Sequence, residues 1–420
     1  MTLALQTLLN RPEHPSDPRA IGGLGRALLL TGALVMSVPA WAHGEAGDVL
    51  PPEPGWDAAA ALAARGLDVG GDLPSTAMAG YLLQGDAGDP PERQSLEHAS
   101  ASLAWRATPS LGAYVQLAAH GSEPPEWEDA WLQWRRDTAG GDAWWWSLGR
   151  MTPAQGEALA QAGVFDDFAL PTLAQRMAWD HAMPEHGLQW SWRGERAQAD
   201  WALDLGVWSG DAFPGHGAAS PVPSLHLGWR RGPWRADGFW LAQRARDRGA
   251  SVLGVAGHSH IAPTCDAALQ EVVCFTGRSD VQGLSLVWDG VNADRAWPLR
   301  VTWAGWRRLE RGGLRSQNGA VDYRGDGRGW WLEGAWSWQT NWRLSARIER
   351  LSHQVALSGL GSGLVAADAG FVEDAGMRRE SLSLAYQWRP WSRWVLTWGQ
   401  EAQGQQAGVS FAALRWVPPW

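Results

Sequence analysis

Between Gly329 and Arg350 the chain alternates with a period of two. Trp330, Leu332, Gly334, Trp336 and Trp338 share one phase, and Trp331, Glu333, Ala335 and Ser337 share the other. After Gln339, Thr340 and Asn341 the pattern resumes, with Trp342, Leu344, Ala346 and Ile348 opposed by Arg343, Ser345, Arg347 and Glu349. Successive strand residues point to opposite faces, so this is a hairpin with one apolar and one polar face. The period recurs on both sides of it. Ala101, Leu103 and Trp105 show it, as do Leu111, Ala113 and Val115, then Leu188, Trp190 and Trp192, then Trp201, Leu203 and Leu205. Leu284, Leu286 and Trp288 continue it, followed by Leu382, Leu384 and Tyr386 and by Leu414 and Trp416. Further strands are expected over 127–136, 143–151, 225–230 and 234–244.

The connections alternate in length. Short turns are expected at 109–110, 193–197, 231–233, 339–341 and 390–392, and long loops at 152–172, 210–221, 246–280, 311–328 and 352–379. Apolar-out, polar-in strands joined by alternately short and long connections describe an all-β transmembrane antiparallel β-barrel. The pattern predicts about 16 strands, within a range of roughly 14–18.

The N-terminus reads differently. Arg26 precedes an apolar run from Ala27 to Val38, and Ala40-Trp41-Ala42 offers a small-x-small cleavage site. Residues 1–42 therefore read as a cleaved secretory signal, too short in its apolar part to span as a helix. Residues 43–73 read as a periplasmic segment, with Trp56–Arg65 as a short Ala-rich helix stopped by Gly66. The barrel is then expected over 74–420, its first strand near Thr76 and running through Met78, Gly80 and Leu82. At the other end, Pro418 and Pro419 lack the N–H a ladder needs, so pairing should stop near Trp416 although the chain ends on aromatic Trp420.

Composition sharpens the reading. There are 32 Trp against 4 Tyr and 7 Phe. An indole suits a bilayer interface, ring in the apolar zone and N–H toward the headgroups. An exported chain of amphipathic strands belongs in the outer membrane of a Gram-negative bacterium, in contact with outer-membrane lipid. A net charge of −9 argues against nucleic acid as a partner.

The polar phase supplies the candidate chemistry. Arg106, Arg150, Asp204, Arg300, Glu333, Arg343, Arg347 and Glu349 are expected to line the interior. Such charges either tune which solutes pass or brace the barrel wall as ion-pair ladders, and the sequence leaves both open. Cys265 and Cys274, the only cysteines, should pair in an oxidising compartment. The same loop holds His258 and His260, which with Asp266 offer zinc- or copper-type ligands, against the simpler reading of a solvated loop. Ser352-His353 has no recognisable catalytic partner, so neither an enzyme nor a cofactor is expected.

Glu128-Asp-Ala-Trp-Leu-Gln-Trp-Arg135, followed by Trp146-Ser-Leu-Gly-Arg-Met-Thr-Pro153 with Gly156, resembles the strand–turn–strand–Gly-Arg-x-x-Pro stretch of phosphate-selective porins of the O/P type. His186–Trp192 and Gly210–Gly215 resemble porin-like outer-membrane proteins of proteobacteria, some of them associated with metal acquisition. The resemblance implies a passive, general or anion-preferring pore for small hydrophilic solutes. It also implies a homotrimer inserted by the barrel-assembly machinery. The family's phosphate selectivity rests largely on lysines. This chain has none, so no binding residue is carried over.

Overall fold

A computed structural model describes residues 49–417 except 79, 83–93, 120–124, 161–166, 180–182, 217–220, 252–264, 266–271, 291–297, 374 and 390–391. Its strands are β1 Gly55–Val69, β2 Gln94–Thr108, β3 Leu111–Ala119, β4 Glu126–Asp137, β5 Ala143–Met151, β6 Glu185–Arg196, β7 Ala199–Trp208 and β8 Val222–Arg231. They continue as β9 Trp234–Ser251, β10 Val272–Gly290, β11 Leu299–Ser316, β12 Gly319–Gln339, β13 Trp342–Ser358, β14 Met377–Arg389, β15 Ser392–Gln403 and β16 Val409–Val417. Each pairs antiparallel with its neighbours in sequence, and β1 pairs with β16 from Ala64↔Trp416 to Val69↔Phe411, so the sheet closes. Closure along Ala64–Val69 gives every strand two neighbours, as a bilayer demands of a sheet.

The phase of each strand decides what faces lipid. Leu148 is 59% exposed, Trp398 62% and Leu286 40%, all on the outward phase of their strands. A soluble protein does not leave such a continuous apolar wall in water. Aromatic rings gather toward the short-turn end. Trp338 stacks on Trp342, Trp342 lies 4.4 Å from Tyr386, and Trp234 faces Trp288. Among the described residues no helix is long and apolar enough to cross a membrane. The strands make the crossing.

Several expectations need correction. Trp56–Arg65 is not a helix but the heart of β1. Alanine favours helices intrinsically, yet β2 offers a ladder from Gly55 to Gly66 and β16 joins it from Ala64, and this pairing outweighs propensity. The barrel therefore begins at Gly55 rather than after residue 73. The strand expected from Thr76 is instead a single helical turn, α1 (Pro74–Ala77), with Met78 and Leu82 buried beyond it. The 311–328 loop is absent: β11 and β12 run on past the apolar band and turn only at Gln317-Asn318. Their outward phase becomes charged there, which reads as loop in sequence. Likewise β9 and β10 take in 246–251 and 272–280, the two ends of the 246–280 stretch, and β13 extends to Ser358 before α4 (Ser362–Asp368). Register of the last strand ends at Val417↔Arg393, one residue past the expected stop.

The connection between β5 and β6 folds into the barrel. It carries α2 (Glu157–Ala160) and α3 (Leu173–Trp179), whose Leu173, Ala174, Met177, Ala178 and Trp179 are all buried. Gly149 and Gly156 make the entry possible. Both have positive φ, and a side chain at Gly149 would strike the Ala130 carbonyl while one at Gly156 would strike Asp237. The Gly-Arg-x-x-Pro stretch is thus the bend from wall to interior. Cys265 and Cys274 are bonded, with Cα atoms 5.5 Å apart, tying the β9–β10 loop to its strand.

Candidate functional site: the lumen and its inserted segment

Residues 167–171 run along the inner face of β13–β16 and β1 as irregular backbone. Irregular backbone away from water must find partners for every N–H and C=O. The wall supplies them. The Asp167 carbonyl accepts from Ser383, Phe168 from Arg415 (2.5 Å), and Ala169 from both Arg65 (2.9 Å) and Arg415 (2.7 Å). The Leu170 carbonyl accepts from Arg347 (2.9 Å) and the Pro171 carbonyl from Arg379 (2.6 Å). Glu349 takes the Leu173 N–H at 2.7 Å, and Thr397 takes the Ala169 N–H. A guanidinium carries several donors in a rigid fork, so one arginine can serve a carbonyl and a carboxylate together.

The charges close on themselves. Arg347 reaches Glu349 at 3.2 Å, Arg379 reaches Glu401 at 2.7 Å, and Glu97 receives Arg65 and Arg415. Asp167 sits between Arg343 and Arg393, each at 2.9 Å, with the Ser345 hydroxyl at 3.0 Å. Burial alone would raise the Asp167 carboxyl. Arg343, Arg393 and Ser345 outweigh it and hold the group below the usual carboxylate range. The Arg347 guanidinium also lies 4.1 Å over the Phe168 ring.

The opposite side of the segment meets a different surface. Trp179 packs edge-on against Trp306 at 4.5 Å and stacks on Phe239 at 5.5 Å. Trp131, Trp208 and Trp331 belong to the same buried cluster. Two further connections are also pinned. The Glu185 carboxylate accepts N–H groups of Gly210 and Ala212 and the Ser209 hydroxyl, so the Gly210–Gly215 stretch folds around it. Arg308 donates to the Met177 and Leu82 carbonyls, joining 74–82 to the larger segment.

Of the residues expected to line the interior, all but Arg150 sit on the inward phase. Trp145 faces in and Leu148 faces out, which puts Arg150 outside beside His186 of β6. Three consecutive tryptophans, Trp144–Trp146, give both phases of β5 the same apolar signature. Arg106 donates to the Pro51 and Pro109 carbonyls and anchors the approach to β1. Asp204 accepts from Arg193 and pairs with His226, whose other ring nitrogen meets Asp237 at 3.2 Å. Arg300 stands 3.8 Å from Asp289, and Glu333 3.8 Å from Arg347. His258 and His260 lie outside the described residues. Among those described, no cluster of His, Cys, Asp and Glu is arranged for a metal.

Sequence reasoning missed Arg65, Arg379, Arg393, Arg415, Glu97, Glu401 and Asp167. Arg415 stands between outward Leu414 and Trp416, so the period did mark it. Asp167 carries no periodic signal at all.

Contact with the inserted segment grades the exposure of the inward charges. Arg343 is 20% exposed and Arg135 30%, with Arg193, Arg235, Arg300 and Asp289 between. All lie toward the short-turn end. Arg347, Arg379, Arg393 and Arg415, held against the segment, are 1–2% exposed. The short-turn end thus has a vestibule lined by partly exposed arginines of β4 to β13, each beside a carboxylate.

This architecture has solved counterparts. The channel DcaP of Acinetobacter baumannii aligns with a TM-score of 0.53 at 9% identity, over 87% of this chain and 97% of that one. It has the porin fold. A loop-deletion mutant of OmpT, an outer-membrane protein of Vibrio cholerae, aligns at 0.52 and 12%, over 86% and 99% of the two chains. An anion-selective porin from Comamonas acidovorans aligns at 0.51 and 9%, over 87% and 99%. No family model and no curated protein matches the sequence.

Proposed function

We propose that this porin-fold barrel is an outer-membrane channel for passive diffusion of small hydrophilic solutes, with a preference for anions. The observation that carries the reading is the vestibule: partly hydrated arginines leading onto a segment latched to the inner wall. Charges in a narrow, low-dielectric passage focus the field and bias which ion enters. Arg135, Arg193, Arg235, Arg300 and Arg343 stand there beside Asp137, Asp204, Asp289 and Asp167, and the preference rests on the guanidinium groups that stay partly exposed. Conductance of the refolded full-length chain in a planar bilayer tests the proposal. Discrete single-channel steps with an anion-selective reversal potential are expected. Arg300→Glu together with Arg135→Glu should shift that potential toward cations. A barrel that gives no steps would overturn the channel reading.

A closed, structural barrel is the second reading, favoured by the buried aromatic cluster around Trp179. In that case removing the latch, not merely reversing vestibule charge, would be needed to see current. A trimer belongs to the first reading. An outward concavity of about 410 Å³ on β1–β3, lined by Trp56, Leu103, Trp105 and Val115, offers an apolar seat for a neighbouring barrel. Native mass spectrometry of the detergent-solubilised chain decides between one and three copies. A metal-capturing role for the loop bearing His258 and His260 is tested by zinc titration, and an unchanged affinity after both are replaced by alanine would end it.

A further inference from the structure

The outer wall carries a second ordered set of arginines, unrelated to the lumen. Arg244 of β9 pairs in register with Arg278 of β10, Arg278 with Arg311 of β11, and Arg311 with Arg324 of β12. Directly opposed residues of antiparallel strands point the same way. All are exposed and share the outward phase of the lipid-facing residues of their strands. The register thus forces a straight row of like charges, spaced by about 4.8 Å per strand. Like charges directly opposite one another destabilise a sheet. A row built this way calls for an anion to bridge it.

The surroundings say which kind. The next outward row toward the membrane holds Asp280 and Asp326, which offset part of the charge: Arg278 meets Asp280 at 2.7 Å, and Asp326 is shared by Arg307 and Arg328. Arg307 and Arg328 stand opposite each other one row lower still. Immediately below them the same phase turns apolar with Leu284, Trp330 and Leu332, all exposed. Arginine rows therefore sit on top of a hydrocarbon-facing wall with no break between. They lie on the strands that extend past the apolar band, at the long-loop end. The patch is matched to an amphiphile whose acyl chains lie on the wall and whose headgroup carries more than one phosphate. Guanidinium groups bind phosphate in bidentate, charge-assisted pairs.

We propose that the outer face of β9–β12 is a binding site for a multiply phosphorylated lipid of the leaflet at the long-loop end, held by Arg244, Arg278, Arg311 and Arg324. The test uses the full-length barrel in neutral detergent, with bound lipid counted by native mass spectrometry. The probes are a bis-phosphorylated glycolipid, the same glycolipid stripped of phosphate, and inorganic phosphate as competitor. The wild-type chain should retain the phosphorylated lipid and bind the stripped one at least about tenfold more weakly, the loss expected for one or more charge-assisted pairs. Arg278→Gln with Arg311→Gln should weaken retention by a similar factor, and Arg196→Gln at the short-turn end should leave it unchanged. Equal retention of both lipids by the wild type would overturn the proposal without any question of folding. So would a double variant that retains lipid like the wild type. Displacement by equimolar inorganic phosphate would assign the row to free phosphate instead, and would also overturn it.

Discussion

The two walls that grip the inserted segment work by different physics. On the side of β13–β16 and β1, the contact is hydrogen bonds and ion pairs: Arg65, Arg347, Arg379 and Arg415 on carbonyls, Glu349 on an N–H. On the side of β9 and β11, it is rings: Trp179 against Phe239 and Trp306. The aromatic wall supplies burial, which is non-directional and tolerates sliding. The arginine wall supplies direction, because an unmet buried carbonyl or charge costs more than a met one gains. Apolar packing alone would hold the segment somewhere in the lumen. The ladder of donors holds residues 167–171 in one register.

The comparison can be broken by removing one wall at a time. Arg379→Ala should do the most damage. It strips the Pro171 carbonyl of its donor and leaves Glu349 and Glu401 short of a partner in a buried place, a loss of about 3–5 kcal/mol. Thermal unfolding should show this, and bilayer recordings should show larger and noisier conductance as the segment loosens. Trp179→Ala should cost somewhat less, about 3 kcal/mol, because a cavity next to a lumen can refill with water. Its unfolding temperature should drop while the current stays quiet. If the two variants behave alike in the bilayer, the division of labour between the walls is wrong.

The smallest effect is one of pH. The folded Asp167 carboxyl lies below its unfolded value, so its contribution is fully present above the unfolded carboxylate range and is lost as pH falls through the folded value. The segment should therefore stay seated from neutral pH down to about pH 4 and loosen only below it. Conductance measured against pH should rise in acid for the wild type. Asp167→Asn should flatten that rise.

Much of the barrel was legible because a strand in a bilayer must declare its phase. The hairpin at 329–350 appears in the structure as part of β12 and β13, with Arg347 and Glu349 buried. What failed has common causes. β1 was hidden by alanine, whose small side chain gives no contrast between faces. The tops of β11 and β12 were hidden because they rise past the hydrocarbon, where the outward phase turns polar while Leu314, Val321 and Tyr323 are buried on the inward one. Arg150 was misplaced where tryptophan fills both phases. The inserted segment could not be read at all. Its order is imposed by side chains from strands that are remote in sequence, and no local pattern encodes that.

One joint has a consequence for how the molecule is made. Arg65 belongs to the first strand and Arg415 to the last, and both grasp the Ala169 carbonyl and Glu97. The final seam of the barrel is thus stitched through the interior as well as along its edge. Arg415 arrives some three hundred residues after Glu97, at a separation of 318, so the stitch cannot exist until nearly the whole chain has been threaded into place. The last contacts that seat the segment are consequently made only as the cylinder shuts.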